Sequence, residues 1–264
     1  MSAYRIGVIG DVHANFRALE SALHVIADRG VDETVFLGDI LGYGVNINSV
    51  IDRIAEICSR GKVTLLKGNH DSLYLTAERS VSFEYESKLP IWLRESIAHT
   101  RENISLNIFD GLPFLDAYIY KKILFSHANP FGNNDWRYLN NEVEHEAACD
   151  AIKDQGFVVG VFGHTHRPKV FDGSQKRFLD INKGPLNLNI GGGPFVLNAG
   201  SIGQPRDINS GAVYVLYIAL DSNDLTVDYW EIKYDLASHI EELQSSPMSP
   251  NTIEKLTSFF LSSN

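Results

Sequence analysis

Five times along this chain a short apolar run stops at a small residue and gives way to side chains able to ligate a metal ion. The five junctions are Gly10-Asp11-Val12-His13, Gly38-Asp39, Gly68-Asn69-His70-Asp71, Ser126-His127 and Gly163-His164-Thr165-His166. The runs before them, Tyr4 to Ile9, Val35 to Leu37, Val63 to Leu66, Ile123 to Phe125 and Phe157 to Phe162, read as short buried strands. After the first comes a helical pattern with Phe16, Leu19, Leu23 and Ile26 on one face. After the second comes another from about Ile47 to Arg60, which Gly61 stops. Strand, loop and helix in repeated order imply an α/β fold with a parallel sheet, and such sheets gather ligands at the carboxyl ends of their strands.

The rest of the chain departs from that alternation. Residues 72–120 read as a helical insertion over the site, with a helix near Leu89 to Ile97 and aromatic residues Phe83, Tyr85 and Trp92. A further helix is expected from about Glu142 to Gln155. Beyond Pro168, runs at Lys169 to Phe171, Phe195 to Leu197, Val213 to Ala219 and Leu225 to Lys233 predict a second, mostly antiparallel sheet. Asn182 to Gly193 reads as a loop, and Leu236 to Leu243 and Ile253 to Leu261 as terminal helices. No repeat or linker divides the chain, so one domain over 1–264 is expected.

Composition narrows the partners. A net charge of −10 and a pI near 5.3 oppose long nucleic acid and anionic membrane. No apolar stretch is long enough to span a bilayer. Cys58 and Cys149 fall in helical patterns and read as core residues, which suits a reducing, cytoplasmic setting.

The strand ends together offer Asp11, His13, Asp39, Asn69, His70, His127, His164 and His166, whereas His24, His99, His145 and His239 sit in helical stretches. Oxygen and imidazole donors without thiolate suit divalent Mn, Fe, Zn or Ni. They are too many for one ion. Two ions about 3.5–4 Å apart would need a carboxylate between them, the arrangement that clamps both oxygens of an in-line phosphoryl displacement.

In this order the blocks D-V-H, G-D-I, G-N-H-D, S-H-A and G-H-T-H resemble those of the calcineurin-like metallophosphoesterases, in a bacterial-type form similar to the group related to diadenosine tetraphosphatases and protein phosphatases. The resemblance implies a four-layer fold, two β-sheets packed face to face as a sandwich flanked by helices. It implies two divalent ions as cofactors, one on Asp11, His13 and His166 and the other on Asn69, His127 and His164, with Asp39 bridging. It also implies that a metal-bound hydroxide attacks phosphorus, while His70 faces the substrate and Asp71 orients the imidazole. On an extended segment neighbouring residues point different ways, so His70 can face substrate while Asn69 faces an ion.

Protein phosphatases of this superfamily carry an arginine after the Gly-Asp block and another before Gly-Asn-His, and here those places hold Tyr43 and Lys67. A small phosphodiester or phosphomonoester is therefore expected as substrate, ahead of a phosphoprotein, a dinucleoside polyphosphate or a non-catalytic scaffold role. The segment Asn198 to Asp207 reads as a Gly- and Pro-punctuated turn in which Arg206 is the candidate phosphate contact.

Overall fold

The computed structural model of the protein describes residues 3–75, 86–206, 213–220 and 224–261. Its first half repeats the expected unit. Strand β1 (Tyr4–Ile9) leads to α1 (Phe16–Arg29), β2 (Glu33–Phe36) to α2 (Ile47–Arg60), and β3 (Val63–Leu66) to the short α3 (Asn69–Tyr74). Local chemistry sets the helix ends. The Asn15 side chain accepts from the Ala18 N–H at the start of α1, and Gly30 closes it in the left-handed conformation at φ 63°.

Helices α4 (Ile91–Asn103) and α5 (Leu106–Phe109) follow, then β4 (Phe114–Leu115), β5 (Ala117–Tyr120), β6 (Ile123–Ser126), α6 (Glu142–Asp154) and β7 (Val159–Phe162). The last third supplies β8 (Pro168–Asp172), β9 (Arg177–Leu179), β10 (Leu186–Asn189), β11 (Phe195–Ala199), β12 (Val213–Leu220) and β13 (Asp224–Ile232), then α7 (Leu236–Gln244) and α8 (Pro250–Leu261). Among the described residues no helix is long and apolar enough to cross a membrane.

The strands form two sheets, ordered β10-β13-β12-β1-β2-β3-β4 and β5-β6-β7-β11-β8-β9. Alternation along each strand sorts the side chains into layers. Ile6, Val8, Val35 and Leu37 of the first sheet face Phe125, Val161, Val170 and Leu197 of the second. Ile9, Phe36 and Leu65 point the other way, onto α1 and α2, while Leu124, Phe162 and Val196 cluster with Ala148 and Ile152 of α6. The four-layer αββα sandwich follows from these three cores. A smaller cluster, Tyr43 with Leu243, Met248 and Leu256, seats the terminal helices beside the strand-end loops.

Three expectations need correction. The strands beyond Pro168 do not make a sheet of their own: β10, β12 and β13 extend the first sheet antiparallel to β1, and β8, β9 and β11 extend the second around β7. An apolar period of two identifies a strand but not the neighbour it pairs with. The stretch Asn182 to Gly193 contains β10, a sheet edge whose Leu188 is buried. Among the described residues of the insertion at 72–120, helix ends at Phe109; β4 then pairs with β3 and β5 with β6, so the chain crosses between sheets at Asp116. Phe83, Tyr85 and Asp207 lie outside the described residues.

The segment after β11 is more than a turn. It lies directly on the β1 loop, with the Gly203 N–H and the Ser201 hydroxyl both donating to the Asp11 carbonyl at 3.0 and 2.7 Å. A Cβ on Gly10 would stand 2.0 Å from the Gly200 carbonyl oxygen, so only glycine allows this approach. Gly10→Ala is accordingly expected to cost about 1–3 kcal/mol, the usual penalty of overpacking. Urea denaturation with an unchanged midpoint would show that the two loops can part freely.

Candidate metal centre

The five junctions meet at one end of the sandwich. Asp11 and His13 follow β1, Asp39 follows β2, Asn69 and His70 open α3 after β3, His127 follows β6, and His164 and His166 follow β7. The side chains of Asp11, His13, Asp39, His70, His127, His164 and His166 are all buried. Asp11, His13 and His166 form one group able to hold a metal ion, and Asp39, His127 and His164 a second. The Asn69 carboxamide oxygen stands 3.0 Å from His127 Nε2 and so joins the second group. Asp39 is shared. Its Oδ1 accepts from the His70 N–H at 2.8 Å, and its Oδ2 lies 3.9 Å from His13 Nε2 and 3.5 Å from His127 Nε2.

Every imidazole in the two groups gives its other ring N–H to a backbone carbonyl. His13 Nδ1 donates to Leu41 at 3.1 Å, His127 Nδ1 to Leu37 at 2.7 Å, His166 Nδ1 to Gln204 at 2.6 Å and His164 Nε2 to Trp136 at 3.0 Å. A carbonyl can only accept, so in a neutral ring these bonds fix the tautomer and leave the remaining nitrogen as a lone pair; His127, whose Nε2 also faces the Asn69 and Asp39 oxygens, carries a second proton that a metal ion would displace. One result is that His13 Nε2 and His166 Nε2 face each other at 3.0 Å with no proton between them. Two buried acceptors at that distance repel unless a cation lies beside both.

A proton is not that cation. Burial holds His13 and His166 well below the usual imidazole range and lowers His164 to about 3. The carboxylates show the same shortage of positive charge: burial, opposed by His127 and reinforced by Asp39, pushes Asp11 up to about 8. Burial also works against ionisation of Asp39, yet His127, His70 and His13 hold it well below the ordinary carboxylate range. His127 is raised to about 9, because Asp39 beside it outweighs its burial. Three neutral imidazoles, a fourth that an ion would deprotonate, buried carboxylates and an amide oxygen make a donor set that fits divalent metal ions.

Asp71 is placed differently from the expectation. It does not meet the His70 ring; its oxygens accept from the N–H groups of Asp39 at 2.7 Å, Gly68 at 2.9 Å and Ile40 at 3.0 Å. The reason is local. Asn69 to Tyr74 is a helix and not an extended segment, and an acid in its third position turns back to the helix start. The G-x-x-D spacing before the Leu-Tyr pair was the signal for this. Burial raises Asp71 to about 7, with Asp39 adding to the effect and the Gly68 N–H opposing it.

The His70 ring instead meets Tyr43, its Nε2 lying 3.0 Å from the phenolic oxygen, and burial lowers its pKa. Arg206 reaches the same hydroxyl, 3.4 Å from Nη2, and stands over the Phe259 ring at 5.6 Å. Lys67 pairs with Asp116 at 3.1 Å. Sequence reasoning missed two wall residues: Tyr138 stacks on His164 with centroids 4.2 Å apart, and Trp136 meets His127 edge-on at 5.7 Å. Their only sequence signal is two aromatic residues in a polar loop shortly after His127.

Comparison with known proteins agrees with this geometry. Residues 4–168 match the family described as calcineurin-like phosphoesterase. An uncharacterized protein of Methanocaldococcus jannaschii is 32% identical over 241 residues, covering 90% of this chain and 91% of its own length. Two solved structures share the fold. A metallophosphoesterase from Sphaerobacter thermophilus has a TM-score of 0.72 at 21% identity, covering 97% of this chain and 99% of its own. A hypothetical protein from Pyrococcus horikoshii OT3 has a TM-score of 0.74 at 18% identity, covering 96% and 97%.

Adding a divalent ion at about one hundred times its Kd should stabilise the chain by about 2.7 kcal/mol. For a chain of this size that is roughly 5–10 °C in Tm. Binding should strengthen as pH rises towards about 9, because it displaces the protons held on Asp11 and His127. Asp39→Asn should weaken both sites together. Metal analysis finding two full equivalents on that variant, or a Tm indifferent to added ion, would contradict the shared carboxylate.

Proposed function

The chain belongs to the calcineurin-like phosphoesterases, metal-dependent hydrolases of phosphoric esters, and from that premise we propose that it hydrolyses phosphodiesters or small phosphomonoesters at a two-metal centre. One ion is held by Asp11, His13 and His166, the other by Asn69, His127 and His164, with Asp39 common to both. The observation that carries this reading is Asp39 Oδ2, within 3.9 Å of an imidazole nitrogen from each group. When bound, such a pair supplies Lewis acidity toward phosphoryl oxygens and a nucleophile at neutral pH.

The chain's own residues do the rest. Asp71 ties the Asp39 loop to the Gly68-Asn69 turn, so it positions ligands from both and acts on the chemistry through them. Arg206 contacts a phosphoryl oxygen with its planar fork, the geometry best matched to phosphate. It stands at the Tyr43 hydroxyl, the place where protein phosphatases carry their own arginine in sequence. His70 stands across the same hydroxyl and touches the substrate. Burial keeps its ring neutral, and two added cations would lower its affinity for a proton further, so it serves as a hydrogen-bond donor to developing charge.

A small ester fits this centre better than a phosphoprotein, because the paired arginines of the protein phosphatases are replaced here by Tyr43 and Lys67. The net charge of −10 opposes long nucleic acid. The deciding assay compares aryl monoester, aryl diester, cyclic nucleotide, dinucleoside polyphosphate and phosphopeptide on metal-loaded protein. Fastest turnover of the phosphopeptide would refute the substrate class.

His70→Ala should keep both metals and the fold and lose about 10²–10³ in turnover, the worth of one positioned donor. The loss should be similar for nitrophenyl and alkyl esters. A loss that shrinks with the better leaving group would assign proton donation to His70, and unchanged turnover would remove it from the reaction.

A further inference from the structure

Cavities of very different size reach the candidate ligands. One, against His13, Tyr43 and His239, has a volume of about 10 Å³, room for a single water. Another, of about 110 Å³, runs from His127 and Trp136 outwards between β5 and the loop that follows β6. Only a space of the second size can take an organic group attached to a phosphoryl centre.

The chemistry of that cavity narrows the group. Beyond the candidate ligand His127, the charges that line it are paired: Lys67 with Asp116 at 3.1 Å, and Asp135 with Arg137, which stands just outside the cavity, at 2.6 Å. It therefore offers no net attraction to a second phosphate or to an ammonium group. Its walls are rich in hydrogen-bonding atoms, including Ser126, Asn133 and Asn134, with Asn133 already bonded to Asp116 at 3.3 Å. A benzene ring is held by an apolar cavity of about 150 Å³, so this smaller and more polar space does not suit an aryl group or a nucleobase.

We propose that this cavity is a subsite for a small, neutral polyhydroxylated group, so that the preferred substrate is a phosphoester of a short polyol. The proposal deepens the phosphoesterase reading above and rests on it. The hydroxyls exchange hydrogen bonds with the Lys67–Asp116 pair and Asn133, and the carbon skeleton lies along Trp136.

The test uses metal-loaded protein and two substrates, glycerol 3-phosphate and phenyl phosphate. The expected result is a higher kcat/KM for the glycerol ester. Ala117 is exposed on β5 and lines the cavity without being a candidate ligand. Ala117→Phe should therefore fill the space and raise KM for glycerol 3-phosphate about tenfold, with kcat and phenyl phosphate turnover unchanged. Asp116→Asn should raise the same KM by a few-fold, the worth of about one hydrogen bond. Equal effects of both variants on the two esters, or none on either, would overturn the subsite while leaving phosphoesterase activity intact. No turnover of either ester by the wild-type protein, with metals bound, would remove the reading on which the subsite rests.

Discussion

Four imidazoles each point one ring nitrogen into one small volume because each is held from behind by a backbone carbonyl. The carbonyls belong to Leu37, Leu41, Trp136 and Gln204, residues from three separate loops. Ligand geometry here is therefore loop geometry, and the loops are pinned in turn. Asp71 ties the β2 loop to the start of α3 through three N–H groups. Asn198 donates to the Gly163 carbonyl at 2.6 Å, and the Tyr229 hydroxyl donates to the Asn198 carbonyl at 2.7 Å. Residues that are not themselves candidate ligands thus set where the imidazoles meet, and the two packed sheets set where those residues stand.

The backbone is strained where this convergence is tightest. His13, Ala14, Asp39, Tyr43, His164 and His166 all adopt φ between 47° and 63°, the left-handed region that non-glycine residues avoid. Each such residue costs about 1–2 kcal/mol relative to the right-handed conformation. Local propensity would not choose these dihedrals; the surrounding hydrogen bonds and core impose them. Lys121, Asn134 and Lys176 share the left-handed region singly in other loops, but six such residues gather where the candidate ligands meet, the kind of clustering that accompanies functional sites.

The chain shows some of this plainly and hides the rest. Asp11, His13, Asp39, Asn69, His127, His164 and His166 were legible because each stands at the end of a short apolar run, and parallel strands bring their carboxyl ends together. The partition of the later strands was not. Val213–Leu220 and Phe195–Ala199 have similar apolar character, yet one pairs with β1 and the other with β7. That choice is made by open sheet edges elsewhere in the chain, about two hundred residues back for β12 and about forty for β11. Asp71 was misassigned for a local reason: its neighbour His70 drew attention to the ring, while the backbone had begun a helix whose first turn needed an acceptor. Tyr138 and Trp136 were missed because an aromatic residue in a loop carries no period to read.

This division also explains why the reaction class is clearer than the substrate. The candidate ligands all fall within residues 4–168, the part that matches the family. Arg206 does not; it comes from the loop after β11 and reaches Tyr43 because Gly10 and Gly203 let that loop lie against the loop after β1. Tyr138, Trp136 and Asp116 do fall within the match, but their side chains are not themselves candidate ligands. A two-metal centre places tight demands on seven side chains and few on what surrounds them. Related chains can therefore keep the same ligands while replacing the walls, and the walls are where one ester is told from another.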